Sequence, residues 1–276
     1  DNGYTVDMMM AVDTNGALSN TSSQMTVGMG SLGTLQLNNI GGSKANGIDD
    51  ITPNAYNETW DGLTSSNAAN NGSFFGSLTS SGSVDYRIPA QELGGITMNA
   101  SVTYDPNPGA AAAKGGVAAA NGGSGVAYTL QLAHESGLEI GAGQEIIENG
   151  KAKSSSSTGE DEENVTAYAK FSSGPFSIGA QEAYANAANG AADTEATFWA
   201  VAYTSGDFSV SYGESTTANH SLNGSTVVER ELESLQATYT MGAMTLGLSM
   251  YETDNPEGAT GKYEETELSV SFAFYY

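Results

Sequence analysis

Apolar and polar residues alternate along most of this chain with a period of two. Between residues 96 and 105, for example, Ile96, Met98 and Val102 fall on one face and Thr97 and Asn99 on the other. Successive side chains of an extended strand point to opposite faces, so the alternation predicts antiparallel β-strands with one apolar and one polar face. We expect about 14 strands, at 4–13, 24–30, 34–38, 83–89, 96–105, 126–135, 138–148, 164–171, 176–185, 195–204, 208–215, 227–241, 244–252 and 263–276.

The connections between these strands alternate between short turns and long polar loops. Short turns such as Ser173-Gly174-Pro175 and Gly242-Ala243 contain Gly or Pro, which suit a tight reversal of the backbone. Long connections such as 106–125 and 149–163 are rich in Ala, Asn, Gly and Ser. A transmembrane antiparallel β-barrel has this rhythm, with turns at one rim and loops at the other. A soluble β-sandwich or a solenoid shares the alternating faces, but neither explains the alternating connection lengths.

The last strand, from Lys262 to Tyr276, suits a wall that faces lipid. Its apolar face consists of Leu268, Val270, Phe272, Phe274 and Tyr276. An aromatic end on an apolar strand face is typical of the interface between membrane and water. We therefore expect Phe274 and Tyr276 near the periplasmic rim of the barrel.

Composition narrows the class further. Only 14% of the 276 residues are charged, the mean hydropathy is -0.28, and no run approaches the roughly 18 to 20 apolar residues of a membrane helix. The net charge of -24 argues against a nucleic-acid partner and favours cations near the surface. The absence of cysteine excludes disulfides and thiolate metal sites. We expect one barrel domain over residues 1–276.

One connection, residues 39–82, is far longer than the others and carries large apolar side chains such as Trp60, Phe74 and Phe75. A segment of this composition gains free energy only by packing on something, so we predict an ordered loop. Its acids include Asp49, Asp50, Glu58 and Asp61, against one base, Lys44. If the loop folds into the lumen, it narrows the pore and makes it electronegative.

Three features in this region carry a resemblance to a known family. They are the turn Ser31-Leu32-Gly33-Thr34-Leu35, the loop sequence IDDITPNAYNETWDGL from Ile48, and a following strand that contains Asp85 and Arg87. In this order they resemble the general diffusion porins of Gram-negative bacteria, particularly the alphaproteobacterial type. The resemblance implies a trimer of 16-stranded barrels, in which an inward loop presents acids to basic residues of the barrel wall.

The resemblance also assigns site residues by position. The candidate pore constriction comprises Asp49, Asp50, Glu58, Asp61, Asp85, Arg87 and Arg230. Arg87 shares its strand face with Asp85, so a plain ion pair in the wall is an equally good interpretation of that arginine. For Arg230, too, an ion pair in the wall is an equally good interpretation.

The chain departs from the family in two respects. We expect about 14 strands where the family has 16, and the long loop follows the third strand where the family's follows the fifth. Both differences disappear if an amino-terminal hairpin precedes this sequence, and the start at Asp1-Asn2-Gly3, without Met, agrees with a processed or incomplete chain. A barrel of 14 strands is the alternative.

Few residues of the sequence suit a metal or catalytic site. Asp49, Asp50 and Glu58 are calcium candidates because hard cations prefer carboxylate oxygens. The acidic run 160–163 is better interpreted as a solvated loop tip. His134, which we place near an extracellular strand end, and His220, which we place in a loop, lack a neighbouring nucleophile pattern, so we expect neither enzymatic activity nor a cofactor.

The sequence therefore predicts a passive porin in the lipid of the bacterial outer membrane, expected as a homotrimer. Ions and small hydrophilic solutes would diffuse through its lumen, with a preference for cations. The alternative is a secreted adhesive or surface-layer β-protein whose acidic loops bind calcium.

Overall fold

A computed structural model describes residues 3–13, 19–40, 47–49, 51–58, 82–106, 124–148, 161–186, 193–220, 229–255 and 260–272. Within these ranges the regular structure is β-strand, apart from 3-10 helix at Gly30–Leu32 and at residues 47–48. The described residues contain no helix that is long and apolar enough to span a membrane. The prediction of an all-β fold is confirmed.

The strands form a single antiparallel sheet in which neighbours in the chain are neighbours in space. In chain order they are β1 (Thr5–Asp13), β2 (Ser19–Gly28), β3 (Thr34–Ile40), β4 (Val84–Arg87), β5 (Gln91–Leu93), β6 (Ile96–Asp105), β7 (Gly125–His134), β8 (Leu138–Ile147), β9 (Glu162–Ser173), β10 (Phe176–Asn186), β11 (Asp193–Ser205), β12 (Phe208–His220), β13 (Arg230–Met241), β14 (Met244–Asp254) and β15 (Lys262–Phe272).

Strands β4 and β5 are two parts of one interrupted strand, because both pair with β6. The interruption contains Pro89, which has no N–H to donate to the ladder. Counted this way, the path has the predicted 14 strands. The prediction that 91–95 is a turn was wrong in part, since Gln91–Leu93 pairs with β6 and the reversal takes place at Gly94 and Gly95.

Several strands extend further than the alternation indicates. β2 begins at Ser19 rather than at Gln24, because its first residues pair with β1. These residues are all polar, so the sequence shows no apolar face there. β12 ends at His220, so the prediction that this histidine lies in a loop was wrong. His134 ends β7 beside the short turn at Gly137, and is not at the end with the long connections.

The two faces of the sheet are inverted relative to a soluble protein. On β13, Leu232, Ser234 and Gln236 are buried, whereas Glu233 and Leu235 between them are exposed. Most of the buried side chains across the sheet are polar, and large apolar side chains such as Tyr128, Leu130 and Leu248 are exposed. We call the polar side the inner face and the apolar side the outer face.

Neighbouring strands are staggered in one direction. A row of directly paired residues begins at Thr34, at the turn end of β3, and reaches Arg230, at the long-connection end of β13; its members are Thr34, Arg87, Ser101, Thr129, Gly143, Thr166, Ala183, Ala196, Thr217 and Arg230. Strands that tilt relative to a barrel axis require such a stagger. Among the described residues the pairing runs from β1 to β15, without a register between those two strands.

The short turns provide a test of this register. Gly137 has a φ of +94°, and a methyl group there would lie 2.0 Å from the carbonyl oxygen of Ser172. Gly174 also has a positive φ, +57°, but a methyl group there meets nothing within 4 Å. We expect Gly174→Ala to cost only the strain of the left-handed backbone, about 1–2 kcal/mol. Gly137→Ala should cost distinctly more and lower the folded yield. Urea unfolding in detergent micelles checks this, and equal losses would contradict the described turn.

Candidate functional site

Residues 47–49 and 51–58 of the long connection lie against the inner face of the sheet, and we call them the inner loop. Ile48 is almost fully buried in an apolar cluster with Ala127 of β7, Ile147 of β8 and Tyr168 of β9. Ile51 packs against the same cluster. These apolar contacts fix the start of the inner loop on a face whose buried side chains are mostly polar.

The amide of Gln181, on β10, binds the backbone of the inner loop on both sides. Its Nε2 donates to the carbonyl oxygen of Ile48 at 2.8 Å, and its Oε1 accepts from the N–H of Ile51 at 3.1 Å. The same Nε2 lies 2.8 Å from Thr166 Oγ1. Since Gln181 is 1% exposed, little water competes for these bonds.

A second amide, that of Gln236 on β13, holds the far end of the inner loop. Its Oε1 accepts hydrogen bonds from the N–H groups of Tyr56 and Asn57, both at 3.0 Å. Its Nε2 donates to Ser234 Oγ at 2.7 Å, which orients the amide. One residue earlier, the N–H of Ala55 donates to Ser211 Oγ on β12 at 2.9 Å.

The tip of the inner loop reaches the last two strands. Asn57 Nδ2 donates to the hydroxyl oxygen of Tyr251 on β14 at 3.4 Å, and the Tyr56 hydroxyl donates to Glu267 Oε1 on β15 at 3.3 Å. The inner loop thus contacts β7 to β10 and β12 to β15, so the sheet curves around it. The prediction that the long connection folds inward is confirmed for these residues.

The predicted loop acids are only partly within the described ranges. Asp49 is partly buried, and its carbonyl oxygen lies 3.4 Å from Gln181 Nε2. Glu58 is also partly buried and follows the tip residue Asn57. Asp50 and Asp61 lie outside the described residues. Within the described ranges, no group of three or more His, Cys, Asp or Glu side chains is arranged to hold a metal ion. The calcium hypothesis for Asp49, Asp50 and Glu58 stays a prediction.

Asp85 and Arg87 form the ion pair that their shared strand face indicates. Arg87 Nε lies 2.7 Å from Asp85 Oδ2, and Arg87 Nη2 donates to Gln36 Oε1 at 2.5 Å. Thr103 Oγ1 donates to the other carboxylate oxygen of Asp85 at 2.8 Å. The Asp85 side chain is fully buried, whereas 29% of the Arg87 side chain is exposed. Asp85 therefore orients Arg87, and the exposed part of the arginine faces the inner space.

Arg230 occupies a different level of the wall from Arg87. It is the first residue of β13, at the end with the long connections, and it is 9% exposed. Arg87 lies between the long connection before β4 and the turn after β5. The two arginines belong to one row of the sheet, and the stagger of that row carries them to different heights.

A charged network lies on the inner face of β7, β8 and β9, where the alternation along the sequence points both Lys170 and Glu139 inward. Lys170 Nζ is 3.6 Å from Glu139 Oε2, and the Tyr168 hydroxyl donates to Glu139 Oε1 at 2.7 Å. Gln131 Nε2 completes the network by donating to the Tyr168 hydroxyl at 2.9 Å. The ion pair offsets the charge of Lys170 at the wall.

No protein-family model and no curated protein matches the chain. Solved structures do match its fold. A porin refined at 1.8 Å resolution has a TM-score of 0.62 and 16% identity, over 98% of this chain and 92% of that one. The outer membrane channel DcaP of Acinetobacter baumannii has a TM-score of 0.65 and 13% identity, over 99% and 81%.

The anion-selective porin from Comamonas acidovorans has a TM-score of 0.62 and 12% identity, over 98% of this chain and 83% of that one. The chain has the fold of a porin. At these identities the likeness extends to the fold alone. In a porin fold the inner face lines a lumen, so the inner loop lies within the lumen.

The Gln236 amide should control the mobility of the inner loop. Gln236→Ala removes the acceptor of two backbone N–H groups, and each buried group left without a partner costs roughly 1–3 kcal/mol. We expect the amide protons of Tyr56 and Asn57 to exchange at least about tenfold faster in this variant, since about 1.4 kcal/mol corresponds to a factor of ten. Hydrogen exchange in micelles, followed by mass spectrometry, measures the rate.

Gln144→Ala is the matched control, because Gln144 lies on β8 and donates to Glu163 rather than to the inner loop. It should leave the exchange of residues 51–58 unchanged. Equal exchange in wild type and Gln236→Ala would mean that the amide does not hold the loop.

Proposed function

We propose that the protein is a passive diffusion channel of the bacterial outer membrane. The observation that carries this proposal is the inner loop, held by hydrogen bonds against the lumen side of a sheet that has the porin fold. A loop in this position narrows the lumen but leaves it open. Solutes would then pass according to their size and charge, without bond formation or energy input.

The distribution of polar groups supports this proposal. The exposed apolar side chains of the outer face suit contact with lipid, and the polar inner face suits a water-filled lumen. From β1 to β15, neighbouring strands of the described sheet satisfy one another's backbone groups, which a wall in hydrocarbon requires. The same outer face offers apolar surface for a homotrimer, the assembly that the sequence resemblance implies. We assign the chain to the alphaproteobacterial type of porin on the resemblance of residues 24–88.

Cation selectivity is the second part of the proposal. The acids Asp49, Asp50, Glu58 and Asp61 would carry it, opposed by Arg87 and Arg230 on the wall. At an effective dielectric constant of about 20, a charge about 4 Å from a permeating ion contributes roughly 4 kcal/mol. Charges more than about 10 Å away are screened at 0.1 M salt. A few acids at the narrowest point therefore outweigh the larger charge of the outer loops.

The basic test is conductance. Purified protein added to a planar lipid bilayer should produce discrete, long-lived current steps at low voltage. A protein that stays in solution once calcium is chelated and gives no steps would favour the alternative, a secreted calcium-binding adhesive protein.

Neutralising the four loop acids tests the charge assignment. The quadruple variant carries Asp49→Asn, Asp50→Asn, Glu58→Gln and Asp61→Asn. Its reversal potential in a salt gradient should move from the value of a cation-selective channel to near that of an unselective one. The shift should be largest at low salt, because screening weakens it. Reversal potentials of many-channel bilayers measure it directly.

The control removes the same number of charges from the outer face. Glu214, Glu233, Glu252 and Glu264 are paired in one row of β12 to β15 and alternate with the buried inner-face residues. Their replacement by Gln should change the reversal potential far less. An equal shift in both variants would remove the loop acids from the proposal.

A further inference from the structure

Two glycines of the wall lie directly beneath the inner loop. A methyl group on Gly179 of β10 would lie 2.9 Å from Pro53 Cδ and 3.6 Å from Thr52 Cα. A methyl group on Gly247 of β14 would lie 2.7 Å from Tyr56 Cε2 and also 2.7 Å from Ser269 Oγ of β15. Both glycines are buried on the inner face. Each receives one of the large side chains of the inner loop.

Space, rather than backbone conformation, is what requires glycine at these two positions. Neither Gly179 nor Gly247 has the positive φ seen at turn glycines such as Gly137. Both lie within strands, where glycine weakens the ladder and marks a close approach of another group. The close approach at Gly179 is that of Pro53, and at Gly247 the Tyr56 ring and the Ser269 hydroxyl share the space.

Hydrogen bonds fix the inner loop between and beside these contacts. Ile51 is bound by Gln181, Ala55 by Ser211, and Tyr56 by Gln236. A methyl group added at Gly179 would therefore push a tethered segment of the inner loop away from the wall, toward the lumen. A methyl group added at Gly247 would press on the ring of Tyr56, whose backbone N–H is bound to Gln236, and on the Ser269 hydroxyl.

We propose that Gly179 and Gly247 are size-determining residues of the channel: the absence of their side chains sets how far the inner loop projects into the lumen. The inference rests on the proposed function. The groups that hold the backbone of residues 51–57 at this place are uncharged amides and a hydroxyl. The size limit should therefore be nearly independent of salt, whereas the charge preference weakens as salt rises.

The experiment compares wild type with Gly179→Ala and Gly247→Ala in liposomes, by swelling rates with a pentose, a hexose and a disaccharide. Both variants should slow the disaccharide at least about twofold more than the pentose, because a packed contact transmits the added methyl group to the loop. Single-channel conductance should fall in parallel. Gly174→Ala, whose added methyl group meets nothing within 4 Å, should leave the ratio of rates unchanged.

A second substitution distinguishes two causes of a slower rate, displacement of the inner loop and disruption of the barrel wall. Pro53→Ala removes the Cδ atom that a methyl group on Gly179 would meet. The double variant, Pro53→Ala with Gly179→Ala, should therefore pass the disaccharide at nearly the rate of the single variant Pro53→Ala. If Gly179→Ala fails to fold, recovery of folding and size limit in the double variant still supports the contact, and failure of both variants overturns it.

The outcomes distinguish the inference from the function on which it rests. Wild type that folds in liposomes but passes no solute would overturn the channel itself. The role of the two glycines would be overturned if wild type passed all three sugars and both glycine variants gave the same ratio of disaccharide to pentose rates as wild type. The channel function would stand in that case.

Discussion

The structure depends on hydrogen bonds from the backbone of the inner loop to side-chain amides of the wall. Gln181 and Gln236 stand on β10 and β13, and between them they satisfy the N–H groups of Ile51, Tyr56 and Asn57. A loop inside a sheet cannot extend that sheet's ladder, since the wall strands already use their own backbone groups. Side chains must supply the partners. Without these amides the inner loop would keep its apolar contacts at Ile48 and Ile51 and its bond to Ser211, but three of its backbone N–H groups would lose their partners.

The fold was predictable because its signal is local. The alternation along 96–105 and 244–252 identifies strands without any knowledge of their neighbours. Where the alternation fades the prediction fails: the Ser- and Asn-rich start of β2 has no apolar face, yet it is a strand because β1 pairs with it. Pro89 likewise concealed β5, which resumes pairing after the interruption.

The site was less predictable because its contacts join distant parts of the chain. Asp85 and Arg87 are two residues apart on one strand, so their ion pair could be anticipated. The hydrogen bond from the Tyr56 N–H to Gln236 joins residues 180 positions apart, and no periodic pattern in the sequence predicts it. A signal was nevertheless present for Gln181, a long amide on a strand face whose other members, such as Gly179 and Ala183, are small.

Net charge alone is a poor guide to what such a channel selects. Asp85 is fully buried and neutralised by Arg87, and Glu139 is paired with Lys170, so neither acid acts as an isolated charge. The porin fold itself does not fix the sign either, as the anion-selective porin from Comamonas acidovorans has it too. Selectivity has to be assigned group by group, by exposure and position.

The central claim is that the inner loop stands in the path of permeating ions. The chain has no cysteine, and Asn54 is an exposed residue of the inner loop, so Asn54→Cys offers a single reactive site. Addition of a bulky thiol reagent during a single-channel recording should lower the current of this variant in discrete steps. Ser205→Cys, at the exposed end of β11 beside a short turn, should not respond. An unchanged current in Asn54→Cys, with labelling confirmed by mass, would contradict the account.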